Sequence, residues 1–238
     1  MKAMILAAGL GTRLKPFTDQ HPKALAVVNG KTLLQRNIEY LASYGFDDIT
    51  VNVHHFPEQI KEFITSFKYH GITFHISDET EEVLETGGGL MRASTFLKGN
   101  ETFVLMNVDI LTDLDLGKMI QTHRDTGGLA TLAVSKRDTS RYFMFDENNR
   151  LCGWQNVKTG EKKIVRDGTE MTSLAFSGIH VIEPEIFSLI KRKGKFSMVD
   201  VYLDLAPVKD IYAYDHSENK FIDVGTLEKL NRASEIFF

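Results

Sequence analysis

The sequence holds a single cysteine, Cys152, so no intrachain disulfide can form and a disulfide-stapled scaffold is excluded. No nucleophile signature surrounds Cys152, and a lone cysteine suggests a reducing compartment or indifference to redox. Five prolines and 18 glycines in 238 residues exclude a collagen-like or low-complexity chain, and 42% hydrophobic with 25% charged residues is the balance of a packed globular protein. Basic residues are not in excess. The 28 Lys and Arg against 32 Asp and Glu leave a net charge of −4, with no general attraction to nucleic acid or anionic lipid. Any anionic ligand must therefore meet a local positive site. Long uncharged apolar runs are also missing. Met1 to Leu10 imitates a signal peptide, but Gly11-Thr12-Arg13 cuts the run short and no convincing cleavage site follows. It is read as a buried first strand, with no membrane span elsewhere and the cytoplasm as the expected location.

What is present is an alternation of strands and helices. Residues 2 to 8 predict a strand, Leu33, Leu34, Ile38 and Leu41 a helix, Ile49, Val51 and Val53 a strand, and Ile60, Phe63, Ile64 and Phe67 a helix after Pro57. A third strand is expected over about 72 to 76, a glycine loop at 87 to 89, a short helix from Leu90 to Phe96, and a fully buried strand at Phe103 to Met106. Such repetition implies a mainly parallel sheet between helices. Beyond Val134 the pattern changes to a hairpin, Tyr142 to Phe145 and Leu151 to Trp154 about an Asn148-Asn149 turn, with further strands near 174 to 182 and 211 to 214. No Ser, Gly or Pro tract separates the halves, so residues 1–238 are read as one domain.

Gly9-Leu10-Gly11-Thr12-Arg13-Leu14 follows the first strand, where glycines let backbone N–H groups approach phosphate oxygens. A dinucleotide fingerprint is not met, since Leu14 replaces its third glycine. Gly30-Lys31-Thr32 imitates the end of a P-loop, but Leu25 stands where that loop needs glycine, which leaves a turn and helix start. The adjacent His54 and His55 would point to opposite faces of a strand end and make a poor chelate.

The longer string Leu6-Ala7-Ala8-Gly9-Leu10-Gly11-Thr12-Arg13-Leu14-Lys15-Pro16-Phe17-Thr18, followed by Pro22-Lys23-Ala24-Leu25, resembles the signature of the sugar-phosphate nucleotidyltransferases. Glu85-Thr86-Gly87-Gly88-Gly89, Asn107-Val108-Asp109 and Ile222-Asp223-Val224-Gly225-Thr226 agree in order. The triple glycine and short length most resemble the N-acetylmuramate 1-phosphate uridylyltransferases and mannose 1-phosphate guanylyltransferases. The resemblance implies a three-layer α/β/α, Rossmann-like nucleotide-diphospho-sugar transferase fold with a mainly parallel mixed sheet. It places a nucleotide-binding half at about 1–134 and a β-rich sugar-binding half at about 135–238. The implied reaction joins a nucleoside triphosphate, UTP favoured over GTP or CTP, to a sugar 1-phosphate with release of pyrophosphate, for nucleotide-sugar and cell-wall biosynthesis. A nucleotide-sugar-dependent glycosyltransferase and a non-catalytic sugar-nucleotide sensor are the alternatives.

Attack on a triphosphate gathers negative charge, so positioning and neutralisation dominate catalysis. Arg13 and Lys23 supply fixed positive charge, and the resemblance makes them catalytic with Asp109 and nucleotide-binding with Ala8, Gly9, Gly11, Thr12 and Gly87. Asp109 and Asp223 each end an apolar strand, where an uncompensated carboxylate is costly, and both are expected to hold Mg2+. Without the ion the two would repel, so exchanging either for Asn is expected to hold or raise stability. Glu85, Thr86, Asn107, Ser177 and Gly178 are the implied sugar contacts. Asp113 and Asp115 imitate a glycosyltransferase pair but are read as a solvated loop and helix cap. Val108 stands where the family usually has glycine, and the family's Glu-Lys-Pro segment, whose lysine holds the sugar phosphate, is missing; Arg141, Lys158 or Lys23 are its candidate substitutes.

Overall fold

The computed structural model describes every residue except Lys68, His70, Thr169 and Phe238. In the first half β1 (Lys2–Leu6) leads through single turns of 3-10 helix into the short pair β2 (Val27–Val28) and β3 (Lys31–Thr32), then α1 (Leu33–Ser43), β4 (Asp48–Val53), α2 (Pro57–Ser66) and β5 (Thr73–Asp78). There follow α3 (Glu85–Arg92), α4 (Ser94–Leu97), β6 (Phe103–Asn107), β7 (Ile110–Thr112), α5 (Leu116–Thr126) and β8 (Ala130–Ser135). The second half holds β9 (Arg141–Phe145), β10 (Leu151–Asn156), β11 (Glu161–Ile164), β12 (Thr172–Ile182), α6 (Ile186–Leu189), α7 (Met198–Leu205), β13 (Ile211–Asp215), β14 (Phe221–Asp223) and α8 (Leu227–Ile236).

These elements build one ten-stranded mixed sheet whose path is β11-β10-β9-β12-β6-β1-β4-β5, with β8 and β13 branching from β12. Strands β5, β4, β1 and β6 run parallel, and β12 joins β6 antiparallel. Side chains of β1 alternate between two cores. Met4 and Leu6 pack with Leu90 and Tyr202 on one face, and Ala3 and Ile5 pack with Leu34, Ile38 and Met119 on the other. Each fully buried aliphatic side chain contributes about 1.5–3 kcal/mol relative to exposure, which explains why the central strands are apolar on both faces. A third cluster, Leu14, Val28, Leu33, Leu111, Ile222 and Val224, seats the two-stranded ribbon of β7 and β14. No helix among the described residues is long and apolar enough to cross a membrane.

One expected element is corrected. The stretch read as a glycine loop before a helix at Leu90 is itself helical, since α3 begins at Glu85 and α4 covers only Ser94–Leu97. The three glycines are there for packing. A Cβ on Gly87 would come within 2.6 Å of the Phe196 ring, and one on Gly88 would strike the Gly194 carbonyl.

Candidate active site

A cavity of about 480 Å³ opens beyond the C-terminal ends of β1 and β6, where ligands collect in parallel α/β sheets. Its wall includes Ala8, Gly9, Gly11, Thr12 and Arg13 from the loop after β1. Gly11 takes the left-handed conformation (φ 60°) that starts the turn Thr12–Leu14, and a Cβ there would stand 2.9 Å from Thr18 Cγ2. Lys23 enters from the turn after Pro22, and its Nζ is paired with Asp109 Oδ2; the two side chains are only 11% and 20% exposed. Asp109 follows β6, held by the Val108 N–H on the Leu6 carbonyl at 3.1 Å.

Asp223 arrives on β14, opposite Ile110, and the Val224 N–H donates to the Asp109 carbonyl at 2.8 Å. The ribbon thus brings the two aspartates side by side. Asp223 Oδ1 is buried and has no hydrogen-bond partner among the described residues, while Oδ2 lies 3.8 Å from Lys229 Nζ. Gly225, on the cavity wall, leaves room for both Asp223 Oδ1 and Arg13 Nη2, each about 3 Å from where its Cβ would be. An orphaned buried carboxylate oxygen beside a second carboxylate is a donor set that suits a hard divalent cation such as magnesium. The residues present fit that ion.

Glu85, Thr86, Asn107 and Val108 also line the cavity. Gly87, Ser177 and Gly178 do not. The Gly87 N–H is spent on the Phe196 carbonyl at 2.9 Å, so it is no free donor to a nucleotide. Ser177 is fully buried and bonded to His216 Nε2 at 2.7 Å, and Gly178 lies behind Asn107. Asp113 and Asp115 are off the cavity: Asp113 accepts from the Lys220 N–H, and Asp115 caps α5 through the Lys118 N–H at 3.0 Å. Arg141 and Lys158 are exposed on and after the hairpin strands, and neither reaches the cavity wall. His54 and His55 are bonded to the carbonyls of Glu79 and Thr18.

Three polar wall residues were not anticipated. Asn52 accepts from the Ala7 N–H at 2.6 Å and donates to Glu79 Oε1 at 2.6 Å, tying the glycine loop to β5. Burial pushes the Glu79 carboxyl up, against the opposing bonds from Asn52 and the Leu84 N–H. The signal for Asn52 was its amide inside the apolar run of β4; Glu79 had none beyond following a strand. Lys195, 3.8 Å from Glu85, is a further cation on the wall.

Residues 2–237 match the family described as Nucleotidyl transferase, and the chain belongs to that family. It is 32% identical over 212 residues to UTP--glucose-1-phosphate uridylyltransferase from Synechocystis sp., covering 83% of this chain and 53% of that protein, so it spans about half the relative's length. It is 28% identical over 242 residues to N-acetylmuramate alpha-1-phosphate uridylyltransferase from Neisseria meningitidis serogroup B, covering 99% of this chain and 98% of that protein. The crystal structure of HddC from Yersinia pseudotuberculosis complexed with GMP-PN superposes with a TM-score of 0.77 at 25% identity, over 100% of this chain and 99% of that one. The α/β architecture is that of the nucleotide-diphospho-sugar transferases.

Proposed function

We propose that the chain joins a nucleoside triphosphate to a sugar 1-phosphate and releases pyrophosphate, with UTP the favoured donor and GTP or CTP the alternatives. The observation that carries this reading is the meeting at one cavity of the glycine loop, Arg13 and the Lys23–Asp109 pair, with Asp223 at its border. A sugar-phosphate oxygen attacks the α-phosphorus, the bond from that phosphorus to the bridging oxygen breaks, and pyrophosphate leaves with the electron pair. The loop N–H groups and the exposed Arg13 guanidinium would hold the departing phosphates, and Lys23 the reacting ones. Asp109 and Asp223 would hold magnesium, which when bound supplies further neutralisation of phosphate charge. Glu85, Thr86 and Asn107 would face the acceptor sugar. The UTP reading is supported by two relatives whose names specify uridylyl transfer, one matched along nearly its whole length, while relatives named mannose-1-phosphate guanyltransferase support GTP as the alternative.

We take residues 1–238 as one catalytic unit, because β12 of the second half inserts between β6 and β9 and the Asp223 ribbon crosses between halves. Nucleoside triphosphates as the proposed substrates support a cytoplasmic location for the reaction. The test is pyrophosphate release from each of four triphosphates with a panel of sugar 1-phosphates. Release that requires both substrates is expected; a chain that releases none across the panel is not this enzyme.

A further inference from the structure

Arg137 follows β8, and its guanidinium sits at a break in the ladder between β8 and β12. The register pairs Ala175 with Ser135 and Phe176 with Val134, then resumes at His180 with Leu132, so β12 bulges over Ser177, Gly178 and Ile179. A bulge disrupts the ladder and leaves backbone groups in need of other partners. Arg137 supplies two: Nη1 donates to the Ala175 carbonyl at 3.1 Å and Nη2 to the Phe176 carbonyl at 2.7 Å, with a further bond from Nη1 to Ser135 Oγ at 3.2 Å. Inside the bulge Gly178 takes φ 75°, and the space its Cβ would occupy is 2.7 Å from Asn107 Nδ2 on the cavity side. On its other side the guanidinium lies 4.6 Å from the Phe221 ring centroid, at the start of the strand that ends in Asp223. One planar group therefore touches both Ala175 and Phe176, which lead into the bulge behind Asn107, and the strand that carries Asp223.

We propose that Arg137 is a positioning residue for the acceptor side of the site: its fork and its stacked face hold the Ser177–Gly178 bulge behind Asn107 and the end of β14 in fixed relation, so that the sugar 1-phosphate meets a preformed pocket. The inference rests on the transfer reading above. A lysine cannot reproduce it, because an ammonium lacks the planar fork that reaches two successive carbonyls while stacking on a ring.

The test compares wild type, Arg137→Gln and Arg137→Lys by steady-state kinetics in both substrates and by direct binding of the triphosphate alone. Arg137→Gln is expected to raise KM for the sugar 1-phosphate roughly tenfold, as for loss of charge-assisted bonds. KM and Kd for the triphosphate should stay within about twofold, and Arg137→Lys should fall between. A merely structural role would lower the melting temperature and kcat with both KM values unchanged, and that result overturns the inference. If Arg137→Gln does not fold, the KM split in Arg137→Lys decides alone. A wild type that neither binds nor turns over any sugar 1-phosphate removes the transfer reading and this inference with it. An active wild type beside unshifted variants overturns only this inference.

Discussion

Lys23 Nζ and Asp109 Oδ2 form an ion pair at the base of the cavity, with both side chains largely shielded from water. Neither group is a free surface charge, and each alone would be left partly buried without compensation. Chemistry and local stability are therefore coupled at this pair.

Lys23→Ala is expected to lower turnover by roughly a hundred- to a thousandfold, as for loss of a preorganised charge. It should also destabilise the fold, by less than the roughly 3–5 kcal/mol seen when one partner of a fully buried pair is removed. Adding Asp109→Asn should return stability but not turnover, which urea unfolding beside a rate assay would show. A single variant with unchanged stability would place the two side chains apart in solution.

The two aspartates should respond differently to amidation. From sequence alone both Asn exchanges were expected to hold or raise stability; the Lys23 pair corrects this for Asp109, because its carboxylate is neutralised. Asp109→Asn should therefore lower the melting temperature, whereas Asp223→Asn, which replaces a carboxylate with an orphaned buried oxygen, should leave it level or higher. Both should lose turnover by roughly a hundredfold or more. Thermal melts without magnesium, paired with rates in its presence, check this; equal melting losses would contradict it.

Gly88→Ala tests the packing of α3. A methyl there meets the Gly194 carbonyl and stands 2.9 Å from Leu84 Cβ, so the helix must shift off the 194–196 segment. Overpacking of this kind costs about 1–3 kcal/mol, and helix propensity, which favours Ala, works against that loss. Chemical denaturation reads the net change, and a stabilised variant would show that the segment yields freely.

Acid should weaken the fold through His216. Burial first, then the Arg137 charge, holds this histidine down to about 4 from an ordinary 6.5. Between those values the unfolded chain binds the extra proton, so this contribution is present above pH 6.5 and is lost as pH falls toward 4. Its full range is on the order of 3 kcal/mol. His180, held to about 3 by burial, acts in the same direction. Glu79, pushed up by burial, acts in the opposite one: its contribution favours acid and is lost as pH rises through its raised pKa. Urea midpoints across this window should fall less steeply in His216→Gln; an identical slope would contradict the assignment.

Much of the fold was legible because buried parallel strands are apolar on both faces, which marks β1, β4 and β6 within the linear pattern. Partnership was not. That β12 sits between β6 and β9 depends on contacts between distant segments, which no local period encodes. Gly87 to Gly89 misled for a related reason: glycine reads as a helix breaker, yet here Phe196 against Gly87, the Gly194 carbonyl against Gly88 and the Glu79 carboxyl against Gly89 leave no room for a side chain. At the site, the glycine loop and Asp109 stood out as glycine and charge after strands, and Lys23 through the Pro22-Lys23-Ala24-Leu25 string that resembles the family signature. Glu79 did not, and the amide inside β4 marked Asn52 without showing its role, because that role comes from the bond between the two across neighbouring strands.

The proposed transfer requires attack on the α-phosphorus of a triphosphate bound by Arg13, Lys23 and the loop after β1. The most direct measurement follows the label from UTP radiolabelled at its α-phosphorus, incubated with magnesium and sugar 1-phosphates. The label should move into a nucleotide diphosphate sugar while unlabelled pyrophosphate is released, and Lys23→Ala should slow that transfer by roughly a hundred- to a thousandfold. Label recovered only in UTP, UDP or UMP across the sugars, or sugar transfer from an added nucleotide sugar, would contradict it.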